Sequence, residues 1–405
     1  MNSNFHTFNQ AGESISFKSS ATTFNPTVTK LAGHGSPMWL LNNNKRTYAN
    51  APNYAGTGTY DVVLSCDRLQ NLSTISMFNQ RVIGSLDLSK CTNLGTTLSV
   101  YTNPQLSAIT LPNTSKVFST VYFYSCGFRE LNLTGLTGFG GNFRADTNPS
   151  LTAITFPNSS QANTQFFMYS CDLRSLNLTG LTSLGGGFQA QLNANLTGIT
   201  LPVSSSVFTR FTVNNCNLTG SVDLSTLTGL GGLFSLSVNP NLTAATFPNS
   251  SVAFSGFGLA SNKIKTLNLT GLTKFGGNVK INFNSNLTGI TFPTSTQLAY
   301  SFNTDSCDLR NLDVSGLNLG NSLGVFQTHS NANLTAITLP ITSNVFKSFY
   351  AHSCDLRDLD VSMLTGLGGI FSTPLNTNLS AVTLPVSTTK FTSILSYSCS
   401  IPYIN

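Results

Sequence analysis

"YSCDLRSLNLTGL", residues 169–181, returns along the chain as "YSCGFRELNLTGL" at 124, "DSCDLRNLDVSGL" at 305 and "HSCDLRDLDVSML" at 352. A second motif, L-[ST]-x-[IVA]-T-[LF]-P, lies between the copies. It occurs seven times, from "LSAITLP" 106–112 to "LSAVTLP" 379–385, with its prolines 45 to 47 residues apart. Both motifs place apolar residues at relative positions 0, +3 and +5. Position 0 recurs from Ile83 to Ile401 in steps of 22 to 25 residues. The 45-residue repeat is therefore two turns of one coil, a cysteine turn followed by a proline turn.

The residues at +3 and +5 flank a single outward residue, as a short strand requires. Proline closes one strand type because it cannot donate to a ladder. Segments such as "TGLTSLGGG" follow the cysteine-turn strand, and their glycine and threonine content disfavours helix. The expectation is a mainly β chain: a right-handed solenoid of about 15 turns of 22–25 residues, with a back that is β or irregular. Residues 66–405 resemble a leucine-rich-repeat protein, matching L-x-x-L-x-L-x-x-[NC]-x-L in "LRSLNLTGL" and "CDL". They depart from it in the proline turns, which read "TNPSL", "LNANL" or "VNPNL", and in lacking a helical segment.

The solenoid would span residues 66–405. Residues 1–24 read as a polar arm and 25–65 as a small β-sandwich-like module that caps the first turn. "GTGTYDVVLS" 56–65 resembles the end of a PKD-like module, whose acidic stretch is degraded here to "WLLNNN". The last turn reads "SCSIPYIN", with Ile401 and Ile404 at positions 0 and +3. It is expected to present apolar core and a strand edge to a partner or a second copy.

Charged residues make up only 8% of the 405, against about 25% in an ordinary domain. The net charge of +6 is spread thinly and no Lys/Arg run occurs, so nucleic acid and acidic membranes are poor candidates as partners. No apolar signal region opens the chain and no 18-residue apolar run occurs, so no membrane insertion is expected.

Three residue sets are candidates for function. The ladder Cys126, Cys171, Cys216, Asn262, Cys307, Cys354 and Cys399 precedes position 0 of each cysteine turn by two residues. Cysteines two turns apart are too distant to pair, and no C-x-x-C spacing supports a metal tetrad. The ladder therefore reads as inward packing, and Cys66 and Cys91 fall outside it. The second set is the outward strand residue: Asn132, Asn177, Asp223, Asn268, Asp313 and Asp360 in cysteine turns, Thr155, Thr200, Thr246, Thr291 and Thr338 in proline turns. This stripe could bind a glycan or a protein edge, or simply keep the face wet. The third is a basic row, Arg129, Arg174, Lys265, Arg310 and Arg357. Asp172, Asp308 and Asp355 stand two residues before Arg174, Arg310 and Arg357, as exposed ion pairs would.

No catalytic residues, cofactor or metal are expected. The histidines His6, His34, His329 and His352 look scattered, and the recurring "GLGG" is a turn rather than a phosphate loop. The many N-x-[ST] triplets read as a by-product of composition. The expected function is non-enzymatic. It is a structural or interaction protein of a virion, most readily a phage decoration, fibre or tail-associated protein, contacting other assembly proteins and a host-surface glycan or protein. A bacterial surface adhesin and a self-assembling extracellular filament subunit are the alternatives.

Overall fold

The computed structural model describes residues 13–34, 37–41, 45–48, 52, 54–296, 299–319, 323–341, 345–364, 366–386 and 392–401. The structure is almost entirely β. Among the described residues the one helical element is a single 3-10 turn, Leu69–Asn71. No helix is long and apolar enough to cross a membrane. The chain divides into two compact units, residues 1–173 with 180–183, and residues 174–179 with 184–405.

The first unit opens on a six-stranded sheet. Its order is Leu106–Thr110, Val82–Asp87, Glu13–Ser19, Tyr60–Cys66, Met38–Leu41 and Lys45–Tyr48. Glu13–Ser19 is central, antiparallel to Tyr60–Cys66 on one side and Val82–Asp87 on the other. Residues 13–24 are therefore part of the folded module, not of an arm, and residue 24 marks no boundary. The alternation in "ESISFKS" explains this, because Ile15 and Phe17 point into a core with Phe24, Trp39, Val62 and Leu64. Phe24 meets Trp39 edge-on at 5.7 Å. Residues 1–12 lie outside the described residues.

The module passes directly into the coil. Val82–Asp87 pairs in parallel with Leu106–Thr110, which begins the front face. Thr27–Lys30 pairs antiparallel with Leu72–Ser76, which begins the back sheet. From there every turn repeats one plan: a short front strand, a corner, and a longer back strand. About 13 complete turns follow, rather than 15. The strand of Ile83 belongs to the module sheet, and residues 402–405, which complete the turn of Ile401, lie outside the described residues. The bareness expected of that last turn therefore rests on residues that are not described.

The back of the coil is a parallel sheet. In the second unit its described strands run from Gly186–Gln189 to Ser393–Leu395. Its central inward residue is aromatic in most turns. Phe188, Phe211, Phe234 and Phe257 stack in register at 4.9, 5.9 and 5.0 Å between centroids. Val279 interrupts the column, which resumes at Phe302, Phe326, Phe349 and Phe371. Parallel in-register pairing puts the same side chain at the same place on each rung, so one aromatic per turn becomes a continuous column. The "GG" before alternate strands, such as those of Phe188 and Phe234, has a steric cause. Gly232 has φ +62, and a Cβ there would lie 2.2 Å from the Thr209 carbonyl oxygen.

Each turn has an inward corner introduced by a residue in the left-handed region, such as Thr147 before Asn148 and Ser170 before Cys171. In the proline turns the corner is a fully buried asparagine: Asn103, Asn148, Asn193, Asn239, Asn284, Asn331 and Asn376. In the cysteine turns it is the predicted cysteine ladder. "LNANL" and its relatives are thus the same corner in a different residue, not a departure from the repeat. The asparagines bridge turns. Asn239 Nδ2 donates to the Val213 and Leu236 carbonyls at 2.9 and 2.8 Å, and its Oδ1 accepts the Leu218 amide at 3.2 Å.

The cysteines do more than pack. Cys171 Sγ donates to the Ala145 carbonyl at 3.2 Å, and Cys126, Cys216, Cys307, Cys354 and Cys399 each reach the carbonyl 26 residues upstream. All eight cysteines are free. Burial pushes the thiols of Cys126, Cys171 and Cys307 up to about 12, and those of Cys216 and Cys354 up to about 11. They are protonated donors at neutral pH and poor nucleophiles. Cys171→Ala is expected to cost about 1 kcal/mol in chemical denaturation, as a small truncation with one weak hydrogen bond. A loss of binding without that loss of stability would refute the packing assignment.

Candidate functional site

The front strands are three residues long in most turns, with pattern exposed–buried–exposed. They pair in parallel as cysteine-turn and proline-turn couples, so the stripe residues face one another. Asn132 stands opposite Thr155 in the first unit. Asn177 stands opposite Thr200, Asp223 opposite Thr246, Asn268 opposite Thr291, and Asp313 opposite Thr338 in the second. Asp360 continues the series, paired with Thr383. All these side chains are exposed.

Half of the stripe already has structural work. Asn132, Asn177 and Asn268 each accept from the backbone N–H and the hydroxyl of the threonine two residues on, at 2.8 to 3.2 Å. Asp223, Asp313 and Asp360 accept the amide of the serine at the same offset, at 2.9 Å. These are Asx-turns that end the strand and steer the chain to the corner. Ser362 accordingly holds the Asp360 carboxyl below its ordinary value through its hydroxyl and its amide. The N-x-[ST] triplets at these positions are therefore turn chemistry, not a by-product of composition. Three further triplets serve in another way: the Thr197, Thr288 and Thr335 hydroxyls donate to the carbonyls of Arg174, Lys265 and Arg310 on the turn before.

The basic row is exposed along one margin of the stripe. The expected ion pairs of Asp308 with Arg310 and of Asp355 with Arg357 do not form. Asp308 accepts from Asn333 Nδ2 at 2.6 Å, and Asp355 from Asn378 Nδ2 at 2.5 Å. A strand residue and one two positions before it diverge at the corner, while the neighbouring turn lies one rung away. The aspartates therefore tie turns together and leave the guanidinium groups of Arg310 and Arg357 outside any ion pair among the described residues.

One part of the front face is concave. Thr266, Asn268, Gly289, Thr291, Arg310, Asn311 and Asp313 are among the residues that line a groove of about 550 Å³ in the second unit. Gly289 stands among them, with open space where a side chain would begin. Its neighbours offer hydroxyls, amides, one cation and one carboxylate, which suits a polar ligand rich in hydroxyl groups. The groove thus gathers four of the predicted residues, Asn268, Thr291, Arg310 and Asp313. Asp360, in the second unit, does not line it, and Asn132 and Thr155 belong to the first unit.

The histidines are not all scattered. His329 and His352 occupy the same place on consecutive turns and stack at 4.3 Å. The signal was in the repeat register, since both stand two residues before the corner in "HSN" and "HSC". His34 lies 3.5 Å from Asp67 in the first unit, and His6 lies outside the described residues.

The sequence matches no protein-family model, and no curated protein matches it. Among solved structures, a leucine-rich repeat protein from Bacteroides ovatus ATCC 8483 is similar over 92% of this chain and 89% of its own, with 12% identity and a TM-score of 0.39. The turns described above are those of a leucine-rich-repeat-like β-solenoid.

Proposed function

We propose that this repeat protein is a non-enzymatic interaction module whose front face binds a surface glycan, carried as a decoration, fibre or tail-associated protein of a virion. The observation that carries the reading is the groove at Gly289, where Arg310, in no ion pair among the described residues, meets a field of hydroxyl and amide groups. The free, buried thiols support assembly in a reducing compartment, as in the cytoplasm where phage particles are built. A bacterial cell-surface adhesin would use the same groove.

Gly289→Arg tests the groove. Its φ is not in the left-handed region and nothing lies above it, so the change is expected to leave the unfolding free energy within about 0.5 kcal/mol of wild type. Binding to a glycan array or immobilised bacterial polysaccharide is expected to fall about tenfold or more, with Arg310→Ala in the same direction. Undiminished binding in both variants would remove the groove from the function.

A further inference from the structure

We propose, resting on the glycan-binding reading above, that the ligand of the front face is an extended, neutral, β-1,4-linked polysaccharide. It lies lengthwise along the coil, with one disaccharide for every two turns. The front strands of the second unit alternate in size. Thr266 stands opposite Gly289, and Asn311 opposite Ala336, so a larger polar residue on the cysteine turn meets a small one on the proline turn. The same plan holds earlier in the coil, where Ser175 stands opposite Gly198 and Ser221 opposite Ala244. Single backbone bonds join couple to couple: the Thr219 amide donates to the Thr197 carbonyl at 3.0 Å, and the Arg310 amide to the Thr288 carbonyl at 3.4 Å. High and low rungs therefore alternate along the face, with a period of two rungs, about 10 Å.

The groove shows what one low rung and its two neighbours offer. Leu267 and Ile290 contribute apolar atoms to its lining, and Thr266, Asn268, Thr291 and Asn311 bring hydroxyls and amides. That mixture suits a pyranose, which has apolar C–H faces and a rim of hydroxyls. The charges of the face oppose one another. Arg310 precedes the strand that ends in Asp313, and Arg357 the strand that ends in Asp360. Cation and carboxylate thus stand at opposite margins of one rung. No field of a single sign runs along the face to hold a polyanion or a polycation, so the face is matched to a neutral chain.

The linkage follows from the period. A β-1,4 bond between pyranoses advances the chain by close to one rung per sugar and turns successive rings over, so its geometric repeat is a disaccharide. Laid across the strands, such a chain meets one high and one low rung with each repeat, always in the same orientation. An α-1,6-linked chain has no fixed repeat of this kind. Gly198 and Gly289 are low rungs four steps apart, about 20 Å, with Ala244 on the low rung between them. A hexasaccharide spans both, whereas a disaccharide fills the groove alone.

Calorimetric titration of the full chain with cello- and chito-oligosaccharides of two, four and six sugars tests this mode, with dextran as the α-1,6-linked control. Affinity for at least one series is expected to rise about tenfold or more from two sugars to six, and to exceed that for dextran. Gly198→Arg is expected to weaken the hexasaccharide about fivefold or more, although it lies outside the groove. Nothing lies within 4 Å of a Cβ built at Gly198, so a thermal melt should show the variant folded. A flat dependence on length, unchanged hexasaccharide binding in Gly198→Arg, dextran binding as tight as the hexasaccharide, or no binding of either series each overturns the lengthwise mode. If an immobilised bacterial polysaccharide still binds and is lost in Gly289→Arg, the groove keeps its role and the lengthwise mode alone is lost. If no glycan binds at all, both are lost.

Discussion

Phe326→Ala is expected to destabilise the second unit by about 3–5 kcal/mol, the cost of emptying a fully buried aromatic site. Phe326 has no exposed surface. It stacks on Phe302 at 5.1 Å, on Phe346 at 5.6 Å and on Phe349 at 5.1 Å. The adjoining rungs are held by backbone ladders and cannot collapse into the cavity, so the upper part of that range applies. In a solenoid each turn is stabilised chiefly by its neighbours. The loss should therefore appear first as faster hydrogen exchange in strands Ala299–Asn303, Leu323–Gln327 and Val345–Tyr350, before global unfolding shifts. Val279 occupies the same place on another rung, so the column accepts an aliphatic residue. Phe326→Leu should accordingly cost much less, about 1 kcal/mol. A cost for alanine near that of leucine would mean the stack contributes little.

Asn239→Ala is expected to cost a similar amount, roughly 3–5 kcal/mol, by a different route. The asparagine is fully buried, and its amide satisfies the carbonyls of Val213 and Leu236 and the N–H of Leu218. Alanine would leave those groups buried and unpaired, at about 1–3 kcal/mol each, reduced where water enters. Asn239→Asp should be comparably harmful, because a carboxylate cannot donate to the two carbonyls and would be buried without a counter-charge. Urea denaturation of the two variants measures both effects. A small loss for alanine would show that water or local relaxation replaces the side chain. The contrast with Cys171, expected to cost about 1 kcal/mol, follows from the number of bonds each corner makes.

Much of the fold was legible in the chain. The 45-residue spacing of the prolines and the apolar positions at 0, +3 and +5 give the two-turn repeat, because a coil with one core must show the same inward residues once per turn. The Phe column has a sequence signal too, five residues before the corner in Phe166, Phe211, Phe302 and Phe349, but it lies outside the leucine pattern that sets the repeat. The inward placement of the cysteines followed from their fixed register. What a local pattern cannot show is which partner a polar group takes. Asp308 and Asp355 stand near arginines in sequence but reach asparagines one turn away, and the stripe asparagines turn back to their own threonines. Glu13–Ser19 looked like a polar arm because its partners lie 40 to 70 residues ahead in the chain.

The sequence by itself determined the period, the inward and outward faces, and the corner residue of the cysteine turns, because these depend only on the geometry of a repeating strand. The tertiary structure alone decided where that regular surface becomes particular. The groove at Gly289 is lined by three strands of adjacent turns, Thr266–Asn268, Gly289–Thr291 and Asn311–Asp313. The imidazole pair exists because residues 23 positions apart fall one rung apart when the coil closes. Both are contacts across turns, set by the parallel register that stacking imposes, and no window of the sequence shorter than a turn contains them.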